Sequence, residues 1–137
     1  MNQRVELRLP PDDANVGLVR LVVVTAARQA GMDAERLEDL RLVVSEAATN
    51  ALLSHQRVDS AHPVTVAFEV NDGAFAVTVS DFGPGFDPVD EVAAIHDESR
   101  EGGLGLTLMR ALADDASFEH SDGMHVRLRF TLAAAHA

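Results

Sequence analysis

Glu46 and Asn50 stand four residues apart in the stretch Arg41-Leu42-Val43-Val44-Ser45-Glu46-Ala47-Ala48-Thr49-Asn50-Ala51-Leu52-Leu53-Ser54-His55. On a helix that spacing places both on one side, one turn apart. A carboxylate there can accept a proton, and a carboxamide oxygen can ligate a hard cation such as Mg²⁺. The same pair can equally be an ordinary Glu and Asn on a solvated helix face. Two glycine-bearing segments lie downstream. Asp81-Phe82-Gly83-Pro84-Gly85-Phe86 follows directly on a strand pattern. An Asp at a strand's end can accept a hydrogen bond from an exocyclic amine, and the glycines let backbone approach a flat ligand. The alternative is that they serve only as turns. Glu101-Gly102-Gly103-Leu104-Gly105-Leu106 opens a helical pattern. Glycine-rich backbone at a helix N-terminus offers free N–H groups and a positive dipole end to phosphates, although helix entries often use Gly without any ligand.

Regular elements have to position these residues. Leu42, Val43, Ala47, Ala51 and Leu53 recur at helical spacing, so an amphipathic helix capped by Asp33 and fading by about Gln56 carries Glu46 and Asn50. Before it, Gln3 to Leu9 alternates as a half-buried strand that Pro10-Pro11 ends. Asp12 or Asp13 then caps a helix running to about Ala30, with Gly31 as its stop and Val16, Val19, Val23 and Ala27 suited to lie on a sheet. Pro63 to Val70 and Ala74 to Ser80 are strands joined by the tight turn Asn71-Asp72-Gly73. Phe82 to about Glu101 shows no regular pattern, which in a compact domain marks a functional lid or a disordered loop. Leu104 to Ala113 is helical, with Leu104, Leu108 and Leu112 on one face. Ser117 to Ser121 and His125 to Leu132 form a last hairpin around Asp122-Gly123. The order β, α, α, β, β, α, β, β predicts an α+β two-layer sandwich, helices on one face of a mostly antiparallel sheet, as a single domain over 1–137.

Composition narrows the function classes. The chain of 137 residues is 47% hydrophobic, enough for a core, and carries a net charge of −11. That charge argues against sequence-independent nucleic-acid binding and against anionic membrane surfaces. No cysteine is present, so disulfides, thiolate nucleophiles and cysteine zinc sites are excluded. All basic residues are Arg, which excludes a Walker A lysine and a lysine Schiff base. The six histidines are scattered without the spacing of a zinc site, and no G-x-S-x-G elbow occurs. The N-terminus lacks an apolar signal core and no apolar run is long enough to span a membrane, so a cytoplasmic location is expected.

Taken together, E-x-x-x-N on a helix, D-x-G-x-G after a strand and G-x-G-L at a helix entry resemble the N, G1 and G2 boxes of the GHKL ATPase superfamily. The resemblance covers nearly the whole chain. Ser45-Glu46-Ala47-Ala48-Thr49-Asn50-Ala51 and Gly105-Leu106-Thr107-Leu108-Met109-Arg110-Ala111-Leu112-Ala113-Asp114 look most like the anti-sigma-factor serine/threonine kinases of bacterial partner-switching systems. The resemblance implies a Bergerat-type ATP-binding fold with ATP and Mg²⁺ as cofactors. It implies Glu46 as general base, Asn50 as Mg²⁺ ligand, Asp81 on the adenine amine, and Gly83 and Gly85 shaping the adenine pocket and lid hinge. Gly103, Leu104 and Gly105 would offer backbone N–H groups to the phosphates. As partners it implies an RNA polymerase sigma factor, a STAS-type anti-anti-sigma protein and a second copy of the chain, in transcription regulation under stress. Two departures stand out. The family commonly has His four residues after the Asn, where this chain has Ser54, with His55 displaced by one. Where the family tends to place Gly-Thr in the final hairpin, Gly123 is followed by Met124 and His125. Both departures favour the alternative of a nucleotide-gated partner-binding module with little or no kinase activity. Arg100, in the irregular stretch, could reach a phosphate or simply be solvated.

Overall fold

In the computed structural model the described residues are 3–57, 62–81, 102–121 and 123–132. They form β1 (Gln3–Leu9), α1 (Asn15–Gln29), α2 (Ala34–Arg57), β2 (Val64–Asn71), β3 (Ala74–Ser80), α3 (Gly102–Leu112), β4 (Asp115–His120) and β5 (Met124–Thr131). The sequence and order of elements are as expected from the periodicities. Among the described residues the sheet has five strands in the order β1-β2-β3-β5-β4, and every neighbouring pair is antiparallel.

Alternation decides which face is buried. Val77 pairs with Phe68 on one side and Leu128 on the other, so the three make a row across the inner face. Phe75 and Phe130 lie in the next row and are fully buried. Each buried side chain of this size contributes about 1.5–3 kcal/mol. Phe68 and Phe75 also stack, with ring centroids 5.8 Å apart. The opposite face carries Glu69, Thr78, Arg127 and Arg129, the pattern of a sheet covered on one side only.

Against the inner face lie Val19, Val23 and Ala27 of α1 and Leu40, Val43, Val44, Ala47, Ala48 and Ala51 of α2. Gly31, with a φ of 101°, turns the chain between the two helices. Asp33 starts α2 by accepting the Arg36 N–H at 2.9 Å. At α1 the expected acidic cap is displaced: Asp12 Oδ1 accepts the Ala14 N–H at 2.9 Å, and Ala14 itself occupies the cap position. The turn between β2 and β3 needs positive φ at both centre residues, and Asp72 and Gly73 adopt 46° and 80°.

Two stripes differ from the expected ones. Leu42 and Leu53 are exposed, and the buried face of α2 runs instead through Leu40, Val44, Ala48 and Leu52 beside Val43, Ala47 and Ala51. On α3 the fully buried side chains are Leu106 and Met109, while Leu108 and Leu112 are half-buried. The cause is the same in both helices. Apolar residues fill more than one face, and only the neighbour decides which face is covered. The irregular stretch at 82–101 lies outside the described residues. Among the described residues no helix is long and apolar enough to cross a membrane.

Candidate active site

α2 is held on the sheet by Val43, Val44, Ala47, Ala48 and Ala51, and this fixes the flank that carries Glu46 and Asn50. Both are half-buried. The first turn of α3 is pressed against them. A Cβ built on Gly105 would lie 2.9 Å from Glu46 Oε2, 3.6 Å from Asn50 Nδ2 and 3.7 Å from Glu46 Cβ. A side chain at this position would have to displace the end of the Glu46 side chain, so the constraint on Gly105 is close approach rather than an unusual φ. Gly105, far in sequence from Glu46 and Asn50, is brought against them, and Gly103 and Leu104 precede Gly105 in the same turn.

Asp81 follows the last residue of β3 and is 4% exposed. It continues the inward-facing series Phe75, Val77 and Val79. Its N–H donates to the Met124 carbonyl at 2.9 Å, which ties the ends of β3 and β5 together. Met124 is 1% exposed, so an apolar thioether stands beside Asp81 where the family tends to have a threonine. On the other face of the same strand ends, His125 Nε2 donates to the Ser121 carbonyl at 2.9 Å. Its Nδ1 lies within hydrogen-bonding distance of the Ser80 hydroxyl, 2.8 Å away. His55 is fully buried, and its Nδ1 donates to the His62 carbonyl at 2.8 Å, which closes the connection between α2 and β2. Ser54 is buried next to it. Gly83, Gly85 and Arg100 lie outside the described residues.

The backbone N–H groups in the first turn of α3 have no acceptor within the helix and sit at its positive end. Beside them stand a carboxylate and a carboxamide, close against Gly105. A helix end suited to anions, an oxygen ligand for a hard cation and a proton acceptor are the donor set a Mg²⁺–nucleotide needs. The residues present fit that group.

One polar cluster had no sequence signal. Arg36, in the first turn of α2, approaches Asp114, just past the end of α3. The Thr131 N–H, 2.7 Å from Asp114 Oδ2, and the Arg36 guanidinium hold the Asp114 carboxyl below its ordinary value, against an opposing effect of partial burial.

This fold and this grouping define a class of nucleotide-binding domain, and the sequence places the chain within it. The histidine kinase-like ATPase domain matches residues 9–130, and the chain belongs to that family. Two relatives carry a more particular name. Serine-protein kinase RsbW of Bacillus licheniformis is 32% identical over 132 residues, 90% of this chain and 82% of that protein. Serine-protein kinase RsbW of Listeria innocua serovar 6a is 33% identical over 134 residues, 92% of this chain and 85% of its own. A chain in the crystal structure of the SiaB-SiaC complex from Pseudomonas aeruginosa has the same fold, with a TM-score of 0.65 at 17% identity, over 92% of this chain and 88% of that one.

Proposed function

We propose that this chain is an ATP-dependent serine/threonine protein kinase that acts as an anti-sigma factor in the cytoplasm. It would phosphorylate a STAS-type anti-anti-sigma partner, bind an RNA polymerase sigma factor and work as a homodimer of single ATPase domains. The observation that carries the reading is the close packing of the first turn of α3 on Glu46 and Asn50. The kinship with serine-protein kinases supports it.

Each residue has a task in this reading. Asp81 accepts a hydrogen bond from the adenine amine. The first turn of α3, Gly103 to Gly105, directs N–H groups at the phosphates. Asn50 offers its side-chain oxygen to Mg²⁺, which when bound neutralises phosphate charge. Glu46 takes the proton from the partner's hydroxyl as that oxygen bonds to the γ-phosphorus. The bond from the γ-phosphorus to the bridging oxygen breaks, and ADP leaves with that electron pair. Positioning and charge neutralisation supply most of the rate in such transfers. The phosphate added to the partner introduces charge at its interface and separates the two by repulsion and desolvation.

Glu46→Gln tests the assignment, because glutamine keeps the shape but cannot accept the proton. It should bind ATP as well as the parent and transfer phosphate at least about a hundredfold more slowly. Transfer at the parental rate removes Glu46 as the base. A second reading, a nucleotide-gated binding module, is favoured by the buried Met124 beside Asp81. Mg-ATP binding by the parent without transfer to any partner decides for it.

A further inference from the structure

α3 meets α2 at both of its ends. Its first turn lies on Glu46 and Asn50 through Gly105. At its other end the Leu112 carbonyl accepts a hydrogen bond of 2.8 Å from Arg36 Nη1. The two helices therefore run antiparallel, with Arg36 at the last turn of α3 and Glu46 at the first. The same Nη1 donates to Asp39 Oδ2 at 2.8 Å. Nη2 is buried and forms an ion pair with Asp114 Oδ2 at 3.1 Å. Arg36 Cζ stands 4.7 Å from the centre of the Phe130 ring. Asp114 is fixed in turn by the Thr131 N–H, and its own N–H donates to the Arg129 carbonyl at 2.9 Å. One guanidinium thus joins α2, α3 and β5.

Helix electrostatics show which element this arginine serves. A cation in the first turn of α2 opposes that helix's own dipole. At the C-terminus of α3 the same charge is favourable and satisfies a terminal carbonyl. Between its two ends α3 rests on Leu106 and Met109. Apolar contacts of this kind are non-directional and hold a helix down without fixing its position along the groove. The planar fork of Arg36 is directional and supplies that fix. With eleven residues α3 is about 16 Å long and stiff, so a shift at Leu112 reaches Gly105.

We propose that Arg36 is a positioning residue for the phosphate end of the site: by gripping the last turn of α3 it sets how closely Gly103–Gly105 stand to Glu46 and Asn50. The inference rests on the reading that this segment faces the nucleotide phosphates. Arg36→Met keeps the apolar stem and removes the fork, and Arg36→Lys keeps the charge without the fork. Calorimetric titration with Mg-ATP and with AMP reads the role directly, because AMP lacks the outer phosphates. In Arg36→Met, AMP affinity should stay within about twofold of the parent, while ATP affinity and transfer at saturating ATP each fall about five- to tenfold. Arg36→Lys should recover part of the loss. A merely structural arginine would lower both affinities together, in step with the unfolded fraction seen in a thermal melt. An unchanged ATP-to-AMP ratio and unchanged turnover in Arg36→Met overturn the proposal and leave the kinase reading standing. A narrowed ratio in a protein whose parent transfers no phosphate upholds it while that reading falls. Should Arg36→Met not fold, Arg36→Lys decides by the same ratio.

Discussion

Gly105→Ala adds a single methyl group at the point where α3 touches α2. The new Cβ would stand 2.9 Å from Glu46 Oε2, whereas ordinary contact begins at 3.4 Å. The carboxylate must therefore retreat by about 0.5 Å, or α3 must lift by as much. Alanine in a helix gains roughly 0.5–1 kcal/mol over glycine. Pushing Glu46 off its rotamer costs about 0.5–1.5 kcal/mol. These effects nearly cancel, so the variant should melt close to the parent. Catalysis should not be spared. A misplacement of about 1 Å costs on the order of a hundredfold, so half of that predicts about a tenfold slower transfer. The assay is the rate of labelled phosphate appearing on the partner at saturating Mg-ATP, read beside a thermal melt. In a Glu46→Gln background the same methyl group should add little, because the group it displaces no longer takes the proton. A folded Gly105→Ala protein that transfers phosphate at the parental rate refutes the reasoning.

Asp81→Asn exchanges a pure acceptor for a group that also donates, so ATP binding should weaken by about tenfold or more, as for a lost hydrogen bond to a charged group. Parental ATP affinity in a folded variant refutes the adenine contact. Asp114 bears on acid stability. Its folded pKa lies below the ordinary value of 3.8, so its contribution is present above that value and disappears as pH falls through the folded pKa. Asp114→Asn should cost about 1 kcal/mol or less near neutrality, as befits a partly exposed pair, and the gap to the parent should close in acid. Denaturant melts from pH 7 down to pH 2 follow that gap, and a constant difference across the range counts against the ion pair.

The strands were legible because their alternation is a local property, and the turn at Asp72-Gly73 because positive φ selects its residues. Glu46, Asn50 and Gly105 were legible as motifs, but their contact was not. Nothing in the sequence shows that Gly105 is glycine because a side chain of α2 fills the space. The stripe on α2 was misassigned at Leu42 and Leu53, and that on α3 left out the buried Leu106 and Met109, since helical period names a face only when one face is apolar. That His55 is fully buried with its Nδ1 on the His62 carbonyl could not be read from its displacement by one position. Arg36 gave no signal, because its partners Leu112 and Asp114 belong to a distant part of the chain and a lone arginine reads as solvated.

The strand order bears on how the protein is made. β5 is the last described element, yet it sits inside the sheet, between β3 and β4. Until it arrives, β3 lacks one hydrogen-bonding neighbour, and the row from Phe68 through Val77 stops short of Leu128. The carbonyl that receives the Asp81 N–H and the ring beneath Arg36 are also supplied by this strand. A chain whose synthesis has not reached β5 therefore holds Glu46, Asn50, Asp81 and Gly103–Gly105 before it can arrange them. Closure waits on a pairing between residues remote in sequence, the slow kind of step. Folding of this domain is expected to be completed only when β5 has docked, and affinity for ATP should appear in one step with that pairing.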